Sequence, residues 1–195
     1  WLAMLLFSGI KRKHLLTIIM IGSIATTLIW IFALQPYQKE RITAFINPYL
    51  DPRGAGYNLL QSQTAIGAGQ IWGEMWTPTN SRSPTLVPEP FNDFAFAVFA
   101  KKFGFVGVIG LFALITSLII KVGSIAEKAK NNFAKLFSLG FLTLIFSHVF
   151  INAGMNLGLL PITGLPFSFL SYGGSHLIAL MTGLGIKQNI RVASH

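Results

Sequence analysis

The sequence predicts an all-α fold: a polytopic bundle of transmembrane helices with one large extracytoplasmic loop that contains short helices. Of its 195 residues, 52% are hydrophobic and only 11% are charged, against roughly 25% charged residues in an average soluble domain. Mean hydropathy is +0.60, and long uncharged runs alternate with short basic segments. Because so little charge cannot cover a water-exposed surface, we expect most of the chain to lie in lipid.

The clearest span is the run 15–34, which has no charged residue and is long enough to cross about 30 Å of hydrocarbon. The apolar run 1–10 would make only about 15 Å of helix, and we expect it to be the end of a truncated helix. The whole chain is therefore predicted to be one membrane-domain fragment. Its remaining segments are a loop over 35–102, spans over 103–120 and 136–155, a re-entrant extracytoplasmic loop over 156–173 and a last span over 174–187.

The basic residues predict the orientation of these spans. Nine of the fifteen lysines and arginines fall on one side if the spans alternate, and the positive-inside rule makes that side the cytoplasm. The C-terminus is then cytoplasmic. The nine are Lys11, Arg12, Lys13, Lys121, Lys128, Lys130, Lys135, Lys187 and Arg191.

The loop 35–102 carries the other six basic residues and five of the six acids. Loops of this length without secondary structure are uncommon, so we expect short helices in it, one of them over 56–66. The formal net charge of +9 is thus largely a topology signal, which argues against nucleic-acid binding. The chain has no cysteine, which excludes disulfides and thiolate chemistry, and no soluble-enzyme motif is present.

Asp93 and Glu89 are candidates for acid–base chemistry, because they lie four residues apart beside an apolar, aromatic-rich run. On a helix both carboxylates would share one face, and apolar surroundings would raise the pKa of an aspartate toward the range of a general base. The alternative is an interfacial carboxylate that pairs with Lys101 or Arg82 or caps a helix.

His148, Asn152 and Asn156 recur every four residues and form a polar stripe on the third complete span. In lipid such groups need partners inside the bundle. The simpler interpretation is interhelical hydrogen bonding, and the alternative is a substrate or proton path. Arg41, in the early loop, could meet a phosphate or diphosphate, or it could belong to a solvated interfacial collar.

Taken together, the motifs of the long loop and of the last third of the chain resemble the SEDS family (shape, elongation, division and sporulation). Their order and spacing cover nearly the whole chain, and Pro36-Tyr37-Gln38 and Gly56-Tyr57-Asn58 are closer to its RodA branch than to its FtsW branch. The matching residues are Tyr37-Gln38, Arg41, Asn47-Pro48, Asp51-Pro52, Gly54, Gly56-Tyr57, Gln61-Ser62, Ala65-Ile66-Gly67, Pro88-Glu89, Asp93-Phe94, Phe96-Ala97, Phe103–Gly107, Asn152–Met155, Gly158, Pro161, Thr163-Gly164, Pro166 and Ser171–Ser175.

The resemblance implies the C-terminal half of a protein of about ten transmembrane helices in the bacterial inner membrane. Its implied activity is that of a peptidoglycan glycosyltransferase that polymerises lipid II during cell elongation and cell-shape maintenance. The alternatives are an FtsW-like division paralogue, a carrier or flippase for lipid-linked precursors, and a non-catalytic scaffold of the wall-synthesis complex. The implied partners are lipid II and a class B penicillin-binding protein transpeptidase.

The resemblance also implies site residues. Asp93 matches the catalytic aspartate, and a substrate-binding role is implied for Glu89, Arg41, Gln61, Ser62, Ser171 and Tyr172. No covalently bound cofactor is expected, and a divalent cation, Mg²⁺ or Mn²⁺, is compatible with the chemistry, without an assigned metal ligand. The chain departs from the family at Lys101-Lys102, where acids are usual, and we expect these cations to lower the pKa of Asp93.

Overall fold

The structure, a computed structural model, describes residues 4–5, 10–32, 34–51, 54–76, 93–128 and 131–193. Every regular element in these ranges is helical, which confirms the predicted fold class. The six helices of eleven residues or more and one 3₁₀ turn are α1 (Arg12–Phe32), α2 (Pro36–Ile46), the 3₁₀ turn Pro48–Leu50, α3 (Ala55–Ala68), α4 (Ala95–Lys128), α5 (Asn132–Leu157) and α6 (Gly174–Ala193).

Three described helices are long and apolar enough to cross a membrane, namely α1, α4 and α5. They correspond to the predicted spans 15–34, 103–120 and 136–155. The helix expected over 174–187 is present as α6 and is longer than predicted, but it is not one of these three. Polar residues at both of its ends, such as His176 and Lys187, dilute its hydropathy. Most of the run 1–10 lies outside the described residues.

The long connection between α1 and α4 contains the short helices that its length predicts. The backbone N–H of Gln35 donates to Oε1 of Gln38 at 3.0 Å where α2 begins, which satisfies a donor at the helix start. Gly56 near the start of α3 lies against the carbonyl of Pro48, where a Cβ atom would overlap the backbone. This close approach docks α3 onto the preceding 3₁₀ turn.

Helix α4 begins at Ala95, eight residues before the predicted start of the span at Phe103. The predicted start of the span at Phe103 coincides instead with a break in the helix at Gly104, which has φ 65° and ψ −169°. A break frees backbone groups that must find partners. Residues 70–75 supply them: Glu74 N–H donates to the Lys101 carbonyl at 3.1 Å, and the Gln70 carbonyl accepts from Phe105 N–H at 2.9 Å.

Helices α4 and α5 make the most extensive helix–helix contact. Their buried apolar residues form one cluster with α6 and with the connection 158–173 between α5 and α6. Within it, the rings of Phe96 and Phe167 stack with their centroids 5.8 Å apart. A second cluster joins Ala65 of α3 to Phe94 and Ala97, with Ile162 against it. These contacts bring α3, the start of α4 and the connection 158–173 together.

Candidate functional site

Asp93 occupies the turn immediately before α4, and it is half-buried. A face shared with Glu89 would require a helical segment there, but Asp93 lies two residues before the first helical residue, Ala95. A methyl group added to Gly164, which has φ +72°, would lie 3.4 Å from Oδ2 of Asp93. The carboxylate therefore lies over the backbone of the connection 158–173, where no side chain from Gly164 covers it.

Two asparagines of α5 hold the backbone of this turn. Nδ2 of Asn152 donates to the carbonyl of Asp93 at 2.9 Å and to the carbonyl of Leu165 at 2.7 Å. Nδ2 of Asn156 donates to the same Asp93 carbonyl at 3.2 Å. Both asparagines are completely buried, so these hydrogen bonds have no competition from water. They fix the position of Asp93 relative to α5 and to Leu165.

Ser62 extends this asparagine network to α3. Its hydroxyl is fully buried and lies within hydrogen-bond distance of two acceptors on Asn156, the backbone carbonyl at 2.9 Å and Oδ1 at 3.0 Å. The resemblance implied that Ser62 binds substrate. In this arrangement Ser62 has no exposed surface, and its hydroxyl lies against Asn156.

In the polar stripe on α5, Asn156 makes the interhelical hydrogen bond that the simpler interpretation predicted, to Ser62 of α3, whereas Asn152 bonds to the turn before α4 and to the connection 158–173. His148, one turn before Asn152 on α5, stacks on His176 of α6 with ring centroids 5.0 Å apart. Sequence reasoning missed this pair, because the two histidines are 28 positions apart and only helix packing brings them together. Their stacking adds a contact between α5 and α6, one turn of α5 before Asn152.

Arg41 reaches the same connection from another helix. Its side chain is exposed, and Nη1 lies 3.5 Å from the carbonyl of Ile162. Because Ile162 and Gly164 are two residues apart in the chain, the guanidinium of Arg41 and the carboxylate of Asp93 lie against the same short segment. A cation and a carboxylate over one stretch of backbone can face one ligand.

Ser171 and Tyr172 line a groove of about 390 Å³ beside the first two turns of α4. Oγ of Ser171 accepts a hydrogen bond from Phe167 N–H at 2.8 Å, which stabilises the turn before α6. The side chain of Tyr172 is 83% exposed. Gln61 donates from Nε2 to the hydroxyl of Tyr57 at 2.8 Å, one turn away on α3. Gln61 and Tyr172 lie on different elements, and no described contact joins them.

Glu89, the remaining predicted substrate contact, lies outside the described residues, so its geometry relative to Asp93 stays a prediction. Lys101 lies 3.4 Å from Glu74, which gives this cation a carboxylate partner on the segment that docks at the helix break. Lys102 lines the groove of Ser171 and Tyr172. The two neighbouring lysines therefore have different surroundings.

The described residues do not form a metal site by themselves. No group of three or more histidine, aspartate or glutamate side chains in the described ranges could hold an ion. Oxygen ligands are what Mg²⁺ requires, usually one or two carboxylates with phosphate oxygens and water, and Asp93 is the carboxylate present at the site. The arrangement as a whole offers a carboxylate on an anchored backbone, an exposed guanidinium and an apolar groove that contains a lysine.

Comparison with known proteins shows to which family the chain is similar. The family model for FtsW, RodA and SpoVE, described as cell cycle protein, matches residues 1–195. The chain is 36% identical over 189 residues to the peptidoglycan glycosyltransferase MrdB of Escherichia coli, covering 97% of this chain and 51% of that protein. It is 38% identical over 158 residues to the probable peptidoglycan glycosyltransferase FtsW of a Thioalkalivibrio species, covering 80% and 39% respectively.

A solved structure extends the similarity to the fold. A chain from "Structural coordination of polymerization and crosslinking by a peptidoglycan synthase complex" matches with a TM-score of 0.79 and 30% identity, over 99% of this chain and 53% of that one. The present chain spans about half the length of this chain and of MrdB.

Proposed function

Because the chain belongs to the SEDS family of FtsW, RodA and SpoVE membrane proteins, we propose that the protein containing it is a peptidoglycan glycosyltransferase that polymerises lipid II. The observation that carries this proposal is the fixed position of Asp93. Its backbone carbonyl accepts from both Asn152 and Asn156, and its carboxylate lies over Gly164.

In the proposed reaction Asp93 is the general base. The 4-hydroxyl of the acceptor sugar gives its proton to the carboxylate as its oxygen attacks the anomeric carbon of a second, lipid-linked sugar. The bond from that carbon to the diphosphate oxygen breaks, the diphosphate leaves with the electron pair, and the configuration inverts. A base must be held within hydrogen-bond reach of the proton that it removes, and the asparagine network holds the backbone that carries this carboxylate.

Arg41 is the first candidate to stabilise the negative charge on the leaving diphosphate. It is exposed and lies against the carbonyl of Ile162, two residues from Gly164. Glu89 and Gln61 are proposed to contact the sugar or its lipid-linked diphosphate, as the resemblance implies. A divalent cation would need ligands beyond the described side chains, so no step is assigned to one.

The direct test is polymerisation of fluorescent lipid II by the purified full-length protein. Replacing Asp93 with asparagine keeps the side-chain volume and removes the base, and general-base loss typically costs about 10²- to 10⁴-fold in rate. The matched control is Glu127→Gln, which makes the same change at an exposed acid far along α4. Glycan synthesis by Asp93→Asn at the native rate would contradict the assignment. If the native protein translocated lipid II without chain growth, the alternative function of a lipid carrier or flippase would be favoured.

The finer role that we propose is RodA-like cell elongation, supported by the motifs Pro36-Tyr37-Gln38 and Gly56-Tyr57-Asn58. The relatives include both a MrdB and an FtsW of similar identity, so the role needs a test in cells. We expect the full-length protein to restore rod shape to cells depleted of RodA. Rescue of FtsW-depleted cells instead would assign it to division.

A class B penicillin-binding protein transpeptidase is the proposed partner. The support is the similarity to a chain of a solved peptidoglycan synthase complex, which coordinates polymerization and crosslinking. Co-purification of the full-length protein with the transpeptidase of the same organism would test it.

The proposed location is the bacterial inner membrane with a cytoplasmic C-terminus, supported by the distribution of basic residues.

A further inference from the structure

The turn that follows α3, residues 70–76, is fixed by its backbone to the break in α4. We call it the tryptophan turn. Four backbone hydrogen bonds of 2.9 to 3.1 Å join it to α4: Glu74 N–H to the Lys101 carbonyl, Met75 N–H to the Lys102 carbonyl, Phe105 N–H to the Gln70 carbonyl and Val106 N–H to the Ile71 carbonyl. Gly73 is buried against Gly104, where a Cβ atom on either glycine would overlap the backbone of the other segment. The turn is therefore held closely against α4.

The tryptophan turn nevertheless exposes its large apolar side chains. Ile71, Trp72, Met75 and Trp76 are each more than half exposed, from 57% for Met75 to 70% for Trp76. A concentration of exposed apolar side chains marks a surface that contacts lipid or another protein. Since the backbone of the turn is already paired with α4, these four side chains are presented outward by a fixed segment.

The polar groups of the turn do not oppose contact with lipid. The carboxylate of Glu74 lies 3.4 Å from Nζ of Lys101, so its charge is compensated by a cation. Gln70 is the only other residue of the turn with a polar side chain. The four hydrogen bonds to α4 satisfy backbone groups that lipid could not satisfy. The turn can thus meet an apolar phase without exposing an unpaired acid to it.

The turn lies at the level where α4 is expected to leave the hydrocarbon. Gly104 and Lys121 are 17 residues apart with no charged residue between them, which makes about 26 Å of helix, close to the thickness of about 30 Å of a bilayer core. On α1, Lys13 and Trp30 are also 17 residues apart, and Trp30 is exposed. If both lysines mark the cytoplasmic boundary, Trp30 and the tryptophan turn share the opposite one.

We propose that the tryptophan turn is a membrane-interface anchor, with Trp72 and Trp76 in the layer between hydrocarbon and headgroups of the extracytoplasmic leaflet. An indole suits this layer because it combines a large apolar ring with one N–H donor. Lipid is favoured over a protein surface because the turn is level with the expected end of the α4 span and with Trp30. The anchor fixes the depth of the break at Gly104. The proposal is independent of the proposed chemistry.

The depth of the turn can be measured with nitroxide labels. Trp72→Cys and Trp76→Cys are made singly in the full-length protein otherwise free of cysteine and reconstituted in vesicles of phosphatidylethanolamine and phosphatidylglycerol. Electron paramagnetic resonance then compares collisions of the label with O₂, which partitions into the bilayer, and with a water-soluble nickel chelate. We expect an O₂-to-nickel collision ratio several-fold higher at both positions than at Tyr49→Cys, an exposed site in the same predicted loop.

Two results would overturn the proposal. A collision ratio at positions 72 and 76 equal to that at position 49 would place the turn in water. Slow label motion with few collisions of either kind would show that a protein surface covers it.

A second measurement needs no label. The double variant Trp72→Phe, Trp76→Phe keeps apolar rings at both positions, and phospholipids brominated near the headgroup quench tryptophans that lie at that depth. We expect the quenched fraction of the tryptophan fluorescence to be lower in the double variant than in the native full-length protein. An unchanged or larger quenched fraction would contradict the anchor.

Discussion

The side-chain amide of Asn152 donates to the backbone carbonyl of Asp93 at 2.9 Å. This hydrogen bond joins the middle of one apolar helix to the turn that begins another. Since the same amide also donates to the carbonyl of Leu165 at 2.7 Å, both of its hydrogens are used. One asparagine thus sets the distance between the proposed base and the backbone over which it lies.

Replacing Asn152 should disturb Asp93 without touching its carboxylate. Asn152→Asp keeps the volume but removes both donors, which leaves the carbonyl of Leu165 without this partner and the carbonyl of Asp93 with Asn156 alone. Each unpaired buried group costs about 1–3 kcal/mol. We expect lower thermal stability and a fall in kcat for lipid II polymerisation with KM little changed, because the base is misplaced. Asn189→Asp, at an exposed position on α6, is the control. A rise in KM alone would speak against a positioning role.

Ser62 should behave as a positioning residue rather than as a substrate contact. Ser62→Ala removes the hydroxyl that bonds the Oδ1 and carbonyl of Asn156, and we expect a loss of about 1 kcal/mol in stability. Activity should fall through kcat, and Kd for a lipid-linked substrate should stay the same. Ser117 is an exposed serine that bonds only within its own helix. Ser117→Ala should therefore change neither stability nor kcat. If Ser62→Ala weakened substrate binding selectively, Ser62 would be a substrate contact, as the family resemblance implied.

The break in α4 should depend on Gly104. Its φ of 65° disfavours any other residue, and a Cβ atom there would overlap the backbone of Gly73 and its neighbours. We expect Gly104→Ala to lower the thermal midpoint by several degrees, since strain and displaced backbone contacts act together. Gly110→Ala lies on the same helix with open space around it and should be neutral or mildly stabilising. Equal midpoints for the two variants would contradict a built-in break.

The proposed topology can be checked by labelling, because this chain contains no cysteine of its own. Tyr49 and Val192 are both well exposed. In a full-length protein otherwise free of cysteine, Tyr49→Cys should react with a membrane-impermeant maleimide from outside the cytoplasmic membrane. Val192→Cys should react only after that membrane is permeabilised. Reaction of both from the same side would contradict the predicted passage of the chain through the membrane between them.

Much of the fold follows from local sequence. Runs without charge, such as 15–34, have few alternatives to a helix in lipid, and Gly56–Ile66 between glycines was predicted as the helix now seen as α3. The start of α4 was misplaced, because Asp93–Lys102 contains charges that mark a loop in a hydropathy pattern. In the structure Lys101 pairs with Glu74 and Lys102 borders a groove, which allows the helix to begin earlier.

The candidate site, too, was predicted only in part from the sequence. The pattern around Asp93 identifies a candidate base without any structure, and the resemblance supplies its proposed partners. The four-residue spacing places Asn152 and Asn156 on one face of α5, but no spacing rule indicates that Ser62 of α3 and the backbone of Asp93 would meet them there, since those residues are far away in the chain. That meeting depends on α3 packing against the start of α4 and against the end of α5.

By itself, the sequence determined that this chain is a membrane protein built from helices, and which few carboxylates could carry chemistry. Scarce charge and long apolar runs decide this locally, because a backbone in lipid must satisfy its own hydrogen bonds. The tertiary structure alone decided what surrounds Asp93. Asn152 finds its acceptors on two distant segments, and Lys102 meets Tyr172 across a groove. Such contacts depend on helix packing, which no local pattern records.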